Sequence, residues 1–454
     1  MLDEMKKILT LVNADYADLR YERMLDTKID FDGKELTLVS TNVTDGYVLR
    51  VLKKGGLATV AFTKKSDAKK AIKTAEENAE LIGKYQKEPI RLAKAEVIND
   101  TYKPNLNIDP REVKIDEKLT LLTHYNQIPY RYQKIATTQM SYEDKVREKY
   151  FVNTEGTQIE EDLITTRVIG SIVSQEGTLT QRIRVGFGGS DGYARVINRE
   201  AEIEEKTKLV LDMLKAKPVT AGNYRVILNQ RLAGVFTHEA FGHFSEADII
   251  EESPSMRQKL QLGAELGTPI LNIKDDPTQT NQLGHYKYDD EGVRARPTRL
   301  LKNGVLVGRL HSRRTAAAFS EPLTGHAIAE DYRYPPIIRM GSIYIEPGQD
   351  NFEDLLAKLG DGLYLLNPMG GQTSGENFTF AAQYGYEVKN GKMKDMIRDI
   401  NISGNLYQTL KNISAIANDL VLGEIGGCGK GQTNIRSCYG APHILIESVV
   451  IGGR

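Results

Sequence analysis

Apolar residues recur with a helical period at both ends of the first 85 residues and with a period of two between them. The spacing predicts a helix over residues 2–11 and a second helix that Ser66 caps and Gly83 ends. Between these helices, YVLRVLKKGGLATVAF alternates apolar and polar positions on both sides of Gly55-Gly56, which predicts a hairpin with a tight turn.

The same order recurs after a polar link over residues 87–110. The pattern predicts a helix over 116–125, alternating strands over about 130–185, and an amphipathic helix over 201–214. We interpret the recurrence as a duplicated helix, strands, helix unit.

The pattern breaks at Lys217-Pro218, which predicts a boundary between an N-terminal α/β domain (1–217) and a C-terminal domain (218–454). A short buried strand is predicted over 224–228 and a helix over 231–248. The polar residues 251–297 are predicted to form a functional loop or lid.

Short strands with glycine turns follow this polar stretch. They are predicted over residues 299–310, 337–345, 378–388 and 444–451. The expected fold class is therefore α+β, with a mostly antiparallel β domain at the C-terminal end that carries the helix over 231–248.

Composition and charge narrow the class of protein. The 454 residues are 40% hydrophobic and 27% charged, as in folded multidomain proteins. Lys plus Arg (60) nearly cancels Asp plus Glu (61), so the chain lacks the overall basic charge of a general nucleic-acid binder. Only two cysteines are present, which excludes a disulfide framework and indicates a reducing compartment. The start has no signal-peptide core and no apolar run reaches 18 residues, so we expect a cytoplasmic protein without membrane segments.

The segment THEAFGH carries the densest chemistry in the chain. His238 and His243 lie five residues apart, with Glu239 directly after the first histidine. On a regular helix, residues five apart point about 140° from each other, so the two imidazoles would not share a metal ion. A one-turn widening of the helix would realign them, and Gly242 would ease it and admit another chain segment. The alternative is that both histidines are ordinary core or surface residues of a regular helix.

A catalytic zinc site usually has three protein ligands, so a third ligand must come from elsewhere. Cys428 in GGCGKGQ is the best candidate, because four glycines let the backbone turn sharply and present a thiolate. Cys438 is a weaker alternative. The acidic run Asp289, Asp290 and Glu291 could also bind a metal, although such a loop cluster is more often solvated or capping.

The remaining histidines fall into two groups. His124 and His443 are predicted to be structural. Three others occur in or near polar segments and are candidates for lining the cleft: His285, His311 and His326.

Over nearly its whole length the chain resembles the TldD/PmbA family of zinc metallopeptidases, some of which carry the older label of gyrase modulators. The resemblance rests on HEAFGHFSEAD (238–248), YDDEG (288–292), SGENFTF (374–380) and GGCGKGQ (426–432). It implies that His238, His243 and Cys428 bind zinc and that Glu239 is the general base. After the cysteine segment this chain has QTNIRSCYGAP where the family has Pro and Val, so substrate contacts there do not carry over.

The resemblance also implies a function and partners. The expected activity is hydrolysis of unfolded or extended peptides, in which Glu239 takes a proton from a zinc-activated water and delivers it to the leaving amine. The expected assembly is a homodimer, or a heterodimer with a relative that lacks the motif. The alternatives are a non-catalytic binding or scaffold subunit and a gyrase-associated modulator.

Overall fold

The computed structural model describes residues 1–453, and its first part consists of two successive units of helix, three strands and helix. The elements are, in chain order, α1 (Leu2–Leu9), β1 (Tyr16–Asp32), β2 (Glu35–Lys53), β3 (Gly56–Phe62), α2 (Ala68–Tyr85), β4 (Asn99–Tyr102), α3 (Ile115–Gln127), β5 (Ile135–Asn153), β6 (Gln158–Glu176), β7 (Leu179–Gly189) and α4 (Glu200–Met213). The predicted recurrence of element order is therefore present.

Both units contribute to one sheet, in the strand order β3, β2, β1, β5, β6, β7, with the short β4 parallel to β6. β1 and β5 pair antiparallel from Asp18 opposite Asn153 to Asp32 opposite Gln139. The first strand of each unit therefore lies at the middle of the sheet, beside its counterpart.

The two faces of this sheet differ because apolar and charged side chains alternate along its strands. Odd positions of β1, such as Leu19 and Ile29, belong to the apolar cores that also contain residues of the helices α1 to α4. Even positions such as Asp18 and Arg20 lie on the opposite face, which we call the charged face. The charged face is turned toward the second half of the chain, since Arg20 donates to the carbonyl oxygens of Asp290 and Asp331.

Residues 217–453, which the structure describes, contain six α-helices and many short strands. They are β8 (Lys217–Pro218), β9 (Gly222–Leu228), α5 (Gln230–Ala240), α6 (Ala247–Glu252), α7 (Pro254–Lys259), β10 (Ile273–Asp275), β11 (Thr298–Lys302), β12 (Val305–Leu306), α8 (Arg313–Phe319), β13 (Ala327–Ile328), β14 (Ile337–Ile338), β15 (Ser342–Ile345), α9 (Phe352–Leu359), β16 (Gly362–Ser374), β17 (Asn377–Lys389), β18 (Lys392–Arg398), β19 (Ile400–Asn405), α10 (Leu406–Lys411), β20 (Ile413–Ile416), β21 (Val421–Leu422), β22 (Cys438–Ala441) and β23 (Ile444–Gly452).

Most of these strands form two sheets that enclose α5. One sheet has eight strands and includes β9, β16 and β23, and the other has six and includes β15 and β22. α5 contacts β16 on one side and β15 and β22 on the other, so its apolar residues Leu232 and Phe236 lie in the largest core of the protein. Most strand pairs are antiparallel, which confirms the predicted α+β class. The domain boundary at 217/218 stays a prediction; there the chain enters the eight-stranded sheet through β8.

The predicted ends of α2 were wrong, although the helix and the preceding hairpin are present. The side chain of Ser66 makes no cap, and the helix continues past Gly83 to Tyr85. A Cβ atom on Gly83 would lie 2.4 Å from the carbonyl oxygen of Lys54 and 2.9 Å from the amide nitrogen of Gly56. Gly83 therefore lets the helix approach the β2–β3 turn closely and does not end the helix.

The prediction of a functional loop or lid over 251–297 was wrong for the last part of this stretch. This stretch contains α7 and β10, and its last part is buried: Tyr288 is 0% exposed, and Asp289, Asp290 and Glu291 are at most 3% exposed. The polar residues in this part face charged partners on the N-terminal sheet, so polarity did not indicate exposure. No helix within residues 1–453 is both long and apolar enough to cross a membrane.

Candidate metal centre

The helix α5 begins directly after β9 and carries the first half of the HExxxH motif. Asn229 caps it, since its side-chain oxygen accepts a hydrogen bond of 3.0 Å from the amide of Leu232. His238 and Glu239 lie in its last turn. His238 is only 3% exposed, and its ring packs edge-on against the ring of Tyr439 with centroids 5.8 Å apart.

The single helix predicted over 231–248 and its widening were both wrong. α5 ends at Ala240, where Phe241 leaves the helical region with φ −127° and ψ −37°, and a 3₁₀ turn follows over Gly242–Ser245. This break, and not an i to i+5 turn, brings His243 beside His238, with ring centroids 5.2 Å apart and planes at 88°. A Cβ atom on Gly242 would lie 2.1 Å from the sulfur of Met340, so glycine lets this side chain pack closely against the turn.

Cys428 reaches the two histidines from the loop before β22. The loop is closed by a pair of backbone hydrogen bonds between Cys428 and Ile435, of 3.1 and 3.2 Å. The sulfur of Cys428 lies 3.5 Å from Nε2 of His243, and one ligand atom each from His238, His243 and Cys428 lie within 4.8 Å of one another. Within residues 1–453 this is the one group of at least three His, Cys, Asp or Glu side chains with such spacing.

Glu239 lies at the edge of this group. Its carboxylate is 3.8 Å from Nε2 of His243, and its side chain is about one quarter exposed. The backbone oxygen of Glu239 accepts a hydrogen bond of 2.9 Å from Thr373 of β16. This hydrogen bond holds the backbone of Glu239, while its carboxylate lies beside the ligand atoms and is open to water.

Sequence reasoning missed the charged groups behind His243. Glu246 is fully buried and accepts a hydrogen bond of 3.3 Å from Nδ1 of His243. Lys430 donates to Glu246 at 3.0 Å and to Asp248 at 2.8 Å, and the guanidinium of Arg339 lies 3.8 Å from Glu246. Both residues lie inside the motifs quoted above: Glu246 is three residues after His243, and Lys430 is two residues after Cys428. Their charges, so close to the proposed ligands, were the signal that could have identified them.

The charges of these groups favour a thiolate facing an imidazolium. Burial raises the pKa of Cys428, but hydrogen bonds from His238 and His243 outweigh it and lower that pKa to about 5. Burial lowers the pKa of His243, but Cys428 and Glu246 raise it to about 10. In the absence of a metal, the two side chains therefore form an ion pair.

The donor set fits a transition metal. Two imidazoles and one thiolate suit a borderline-soft ion such as zinc better than magnesium or calcium, which prefer oxygen. Nδ1 of His238 is buried and has no hydrogen-bond partner among the described residues. Three protein donors also leave room for water or substrate, as in catalytic zinc sites.

The acidic run that was considered as an alternative third ligand serves another purpose. Asp289 accepts hydrogen bonds from the amides of Glu291, Val293 and Ala327. Asp290 pairs with cations of the charged face, including Lys149 at 3.2 Å, and Glu291 pairs with Arg50 at 2.7 Å. The run is thus neither solvated nor part of the His–Cys group; it attaches the N-terminal sheet to the second half.

The second cysteine and the other histidines are also placed outside that group. Cys438 is fully buried on β22, and its thiol donates to the backbone oxygen of Gly423 at 3.1 Å. The three histidines that were candidates for the cleft are buried and hydrogen-bonded within the protein: His285 to Pro277 and Tyr102, His311 to Thr315 and Glu321, and His326 to Asp275. His443 is likewise bonded to Asp419 and Tyr364, and His124 is partly exposed on α3, 3.8 Å from Glu200.

Two cavities flank the cysteine loop, which we define as Ile425–Lys430. One, of about 240 Å³, lies between the charged face and residues 328–333, which include the end of β13. The other, of about 560 Å³, lies between the charged face and residues 425–427. Both are lined by Arg167 and Gly426, so the two cavities meet where Arg167 donates to the carbonyl oxygen of Gly426 at 3.0 Å.

Comparison with solved structures identifies the fold. A Thermotoga maritima protein described as a candidate modulator of a DNA gyrase matches with a TM-score of 0.81 at 20% identity, and all of both chains is covered. TldE from Thermococcus kodakarensis matches with a TM-score of 0.77 at 19% identity, over 100% of this chain and 99% of that chain.

Protein-family models and related proteins also match nearly the whole chain. A metalloprotease of Synechocystis sp. is 34% identical over 97% of this chain and 95% of its own length, and a zinc metalloprotease TldD homolog of Saccharolobus solfataricus is 30% identical over 97% of both. Models of the PmbA/TldA metallopeptidase family match residues 17–79 (domain 1), 108–216 (central domain) and 221–453 (C-terminal domain). The chain belongs to the TldD/PmbA family of metallopeptidases.

Proposed function

We propose that the chain is a zinc-dependent peptidase that hydrolyses extended or unfolded peptides. The observation that carries the proposal is the convergence of ligand atoms from His238, His243 and Cys428 within 4.8 Å, beside the carboxylate of Glu239. The names of the relatives, metalloprotease and zinc metalloprotease, support the same reaction class.

His238, His243 and Cys428 would hold the metal. When bound, zinc would supply Lewis acidity toward the peptide carbonyl and make a neighbouring water more acidic. Glu239 would accept a proton from that water and return it to the leaving amine, since its carboxylate is close to the ligands and open to solvent. Glu246 accepts from Nδ1 of His243, which fixes the proton on Nδ1 and leaves Nε2 free to bind the metal.

The proposed form of the substrate is supported by the two cavities beside the cysteine loop. Both are bounded by strands, and a single extended chain would enter them more easily than a folded surface would. We therefore expect a destabilised domain to be cleaved and the same domain in its compact state to resist cleavage.

The test combines metal analysis with hydrolysis of an unfolded polypeptide. The purified protein should contain one zinc per chain. Glu239→Ala should keep the zinc and lose most of the hydrolysis, whereas Cys428→Ser should lose both. Cys438→Ser is the matched control for the second variant, and it should keep the metal. A metal-loaded Glu239→Ala protein with undiminished turnover would favour the alternative of a non-catalytic binding or scaffold subunit.

We also propose that the chain pairs with a second subunit, either another copy or a relative without the motif. The first half of β2 carries four exposed apolar side chains, namely Leu36, Leu38, Val39 and Val43. Among the described residues no strand covers this edge, because the pairing with β3 begins only at Tyr47. Light scattering should show a dimer, alone or after mixing with such a relative, and Val39→Glu should weaken it.

A further inference from the structure

The larger cavity has the charged face of the N-terminal sheet as its floor. Asp32, Gln139, Ser171 and Arg184 lie directly opposite one another on β1, β5, β6 and β7, so they form one row across the sheet. All four line the cavity. Ser171 is 1% exposed, and its hydroxyl has no hydrogen-bond partner among the described residues.

The cysteine loop forms the wall of this cavity. Gly186 of β7 makes room for the loop, since a Cβ atom there would lie 2.6 Å from Cδ1 of Ile425. On β6, Arg167 is tied both to Glu143 at 2.7 Å and to the loop carbonyl of Gly426. The loop that carries Cys428 thus rests on β6 and β7.

Two arginines of β7 lie on the floor beside this wall and have no anionic partner. Arg182 donates to the side chain of Gln139 at 3.0 Å, and the guanidinium of Arg184 makes no hydrogen bond among residues 1–453. Neither forms an ion pair with a described residue, whereas Arg167 does. Both are exposed and two positions apart on one face, a spacing of about 7 Å.

These arginines are connected to the proposed catalytic site through Tyr439. Tyr439 lines the cavity together with Arg184, and its ring packs against that of His238. A peptide that enters the site along β7 would therefore pass the two guanidinium groups close to the bond that is cut.

We propose that this cavity is a specificity subsite that selects peptides with acidic side chains near the scissile bond, with Arg182 and Arg184 binding their carboxylates. This inference rests on the proposed peptidase function. An extended peptide presents alternate side chains about 7 Å apart on one face, which matches the spacing of the two arginines. Guanidinium groups form paired, charge-assisted hydrogen bonds with carboxylates.

The opposite end of the row argues against a uniformly anionic ligand such as a nucleic acid. Asp30 and Asp32 line that end, about 14 Å from Arg184 across three strand spacings. A polyanion that filled the cavity would meet repulsion there, whereas a peptide that runs along β7 stays about three strand spacings away from these aspartates.

The test compares matched fluorogenic peptides that differ by Glu against Gln at one position, scanned along the peptide. For the wild type, we expect the best Glu peptide to exceed its Gln counterpart in kcat/KM by about fivefold, the upper range for an exposed ion pair. The ratio should shrink as salt is raised. In Arg182→Gln/Arg184→Gln it should fall to about one, and in Arg184→Glu a Lys peptide should become the better substrate.

Arg131→Gln is the matched control, because Arg131 is an exposed arginine in the turn after α3, outside the cavity, and it should leave the ratio unchanged. Binding of the same labelled peptide pair to Glu239→Ala protein, measured by fluorescence anisotropy, needs no turnover and should show the same preference. Wild-type hydrolysis of Glu and Gln peptides at equal rates, or equal binding of both, would overturn the subsite and leave the peptidase function intact. Preferential binding of the Glu peptide without hydrolysis would instead count against the function.

Discussion

The substitution Glu246→Gln tests whether the buried carboxylate behind His243 positions this ligand. Glutamine keeps the shape and one acceptor oxygen but removes the charge that faces Nδ1 of His243 at 3.3 Å. A carboxylate that accepts from a ligand histidine orients the ring and raises its basicity, and its loss typically costs 10–100-fold in metal affinity. We therefore expect zinc binding to weaken by about 1.4–2.8 kcal/mol.

The loss of zinc affinity has to be separated from unfolding, because the buried guanidinium of Arg339 also lies 3.8 Å from Glu246. Lys430 keeps Asp248 at 2.8 Å and the backbone oxygen of Ile338 at 3.1 Å, so the variant does not leave this cation without a partner. Asp248→Asn is the matched control, because Asp248 also accepts from Lys430, while the contact between Glu246 and His243 remains. It should change zinc affinity less than threefold.

The assay is competition for zinc with a chromophoric chelator, at a temperature where circular dichroism shows both variants to be folded. If folded Glu246→Gln protein bound zinc as tightly as the wild type, Glu246 would have no positioning role. If Asp248→Asn weakened binding as much as Glu246→Gln, the effect would belong to the general charge around Lys430 and not to the hydrogen bond with His243.

Three further predictions concern other parts of the chain. Asp290→Asn should lower the free energy of unfolding by about 1.5–3 kcal/mol in urea titrations, because the buried cations around it lose one charged partner although each keeps a second carboxylate, as Arg147 keeps Glu22. Gly83→Ala should destabilise by about 1–3 kcal/mol in the same measurement, because the new Cβ atom would overlap the backbone of the β2–β3 turn, even though alanine favours helix by about 1 kcal/mol. In metal-free protein, iodoacetamide should label Cys428 at pH 6 but not Cys438, as read by peptide mass spectrometry. The low pKa of Cys428, about 5, keeps it a thiolate that is lost only as the pH falls through 5, whereas burial raises the pKa of Cys438 to about 12.

The sequence predicted best those features that depend on local pattern. The helices α3 and α4 and the hairpin at Gly55-Gly56 follow from periodicity and turn residues. The glycine-rich setting of Cys428 singled it out correctly as the thiol beside the histidines. The ends of α2 and α5 were missed because they depend on packing against distant residues, as at Gly83 and Gly242, which no local pattern shows.

The burial of YDDEG shows a second limit of pattern reasoning. A run of three acidic residues between polar segments is typical of a solvated loop. The run can be recognised as buried only when its cationic partners on the charged face are known. Those partners lie at alternate positions of strands, as Arg147 and Lys149 do in KVREK, where charge at a period of two usually marks an exposed face. Opposite charges are present in the two segments, but only the three-dimensional structure shows that they pair with each other.

The cysteine loop holds the candidate metal site together, because two of its residues contact different parts of that site. Cys428 approaches His243 at 3.5 Å, and Lys430 donates to Glu246, the carboxylate on the other side of the same ring. The loop is therefore attached to the segment after α5 by protein contacts alone, so the three ligand atoms are held together before any metal binds. A site arranged in this way should bind its metal without a large folding transition. Removal of zinc by a chelator should then abolish hydrolysis while the circular dichroism spectrum stays unchanged, and loss of secondary structure on chelation would contradict this arrangement.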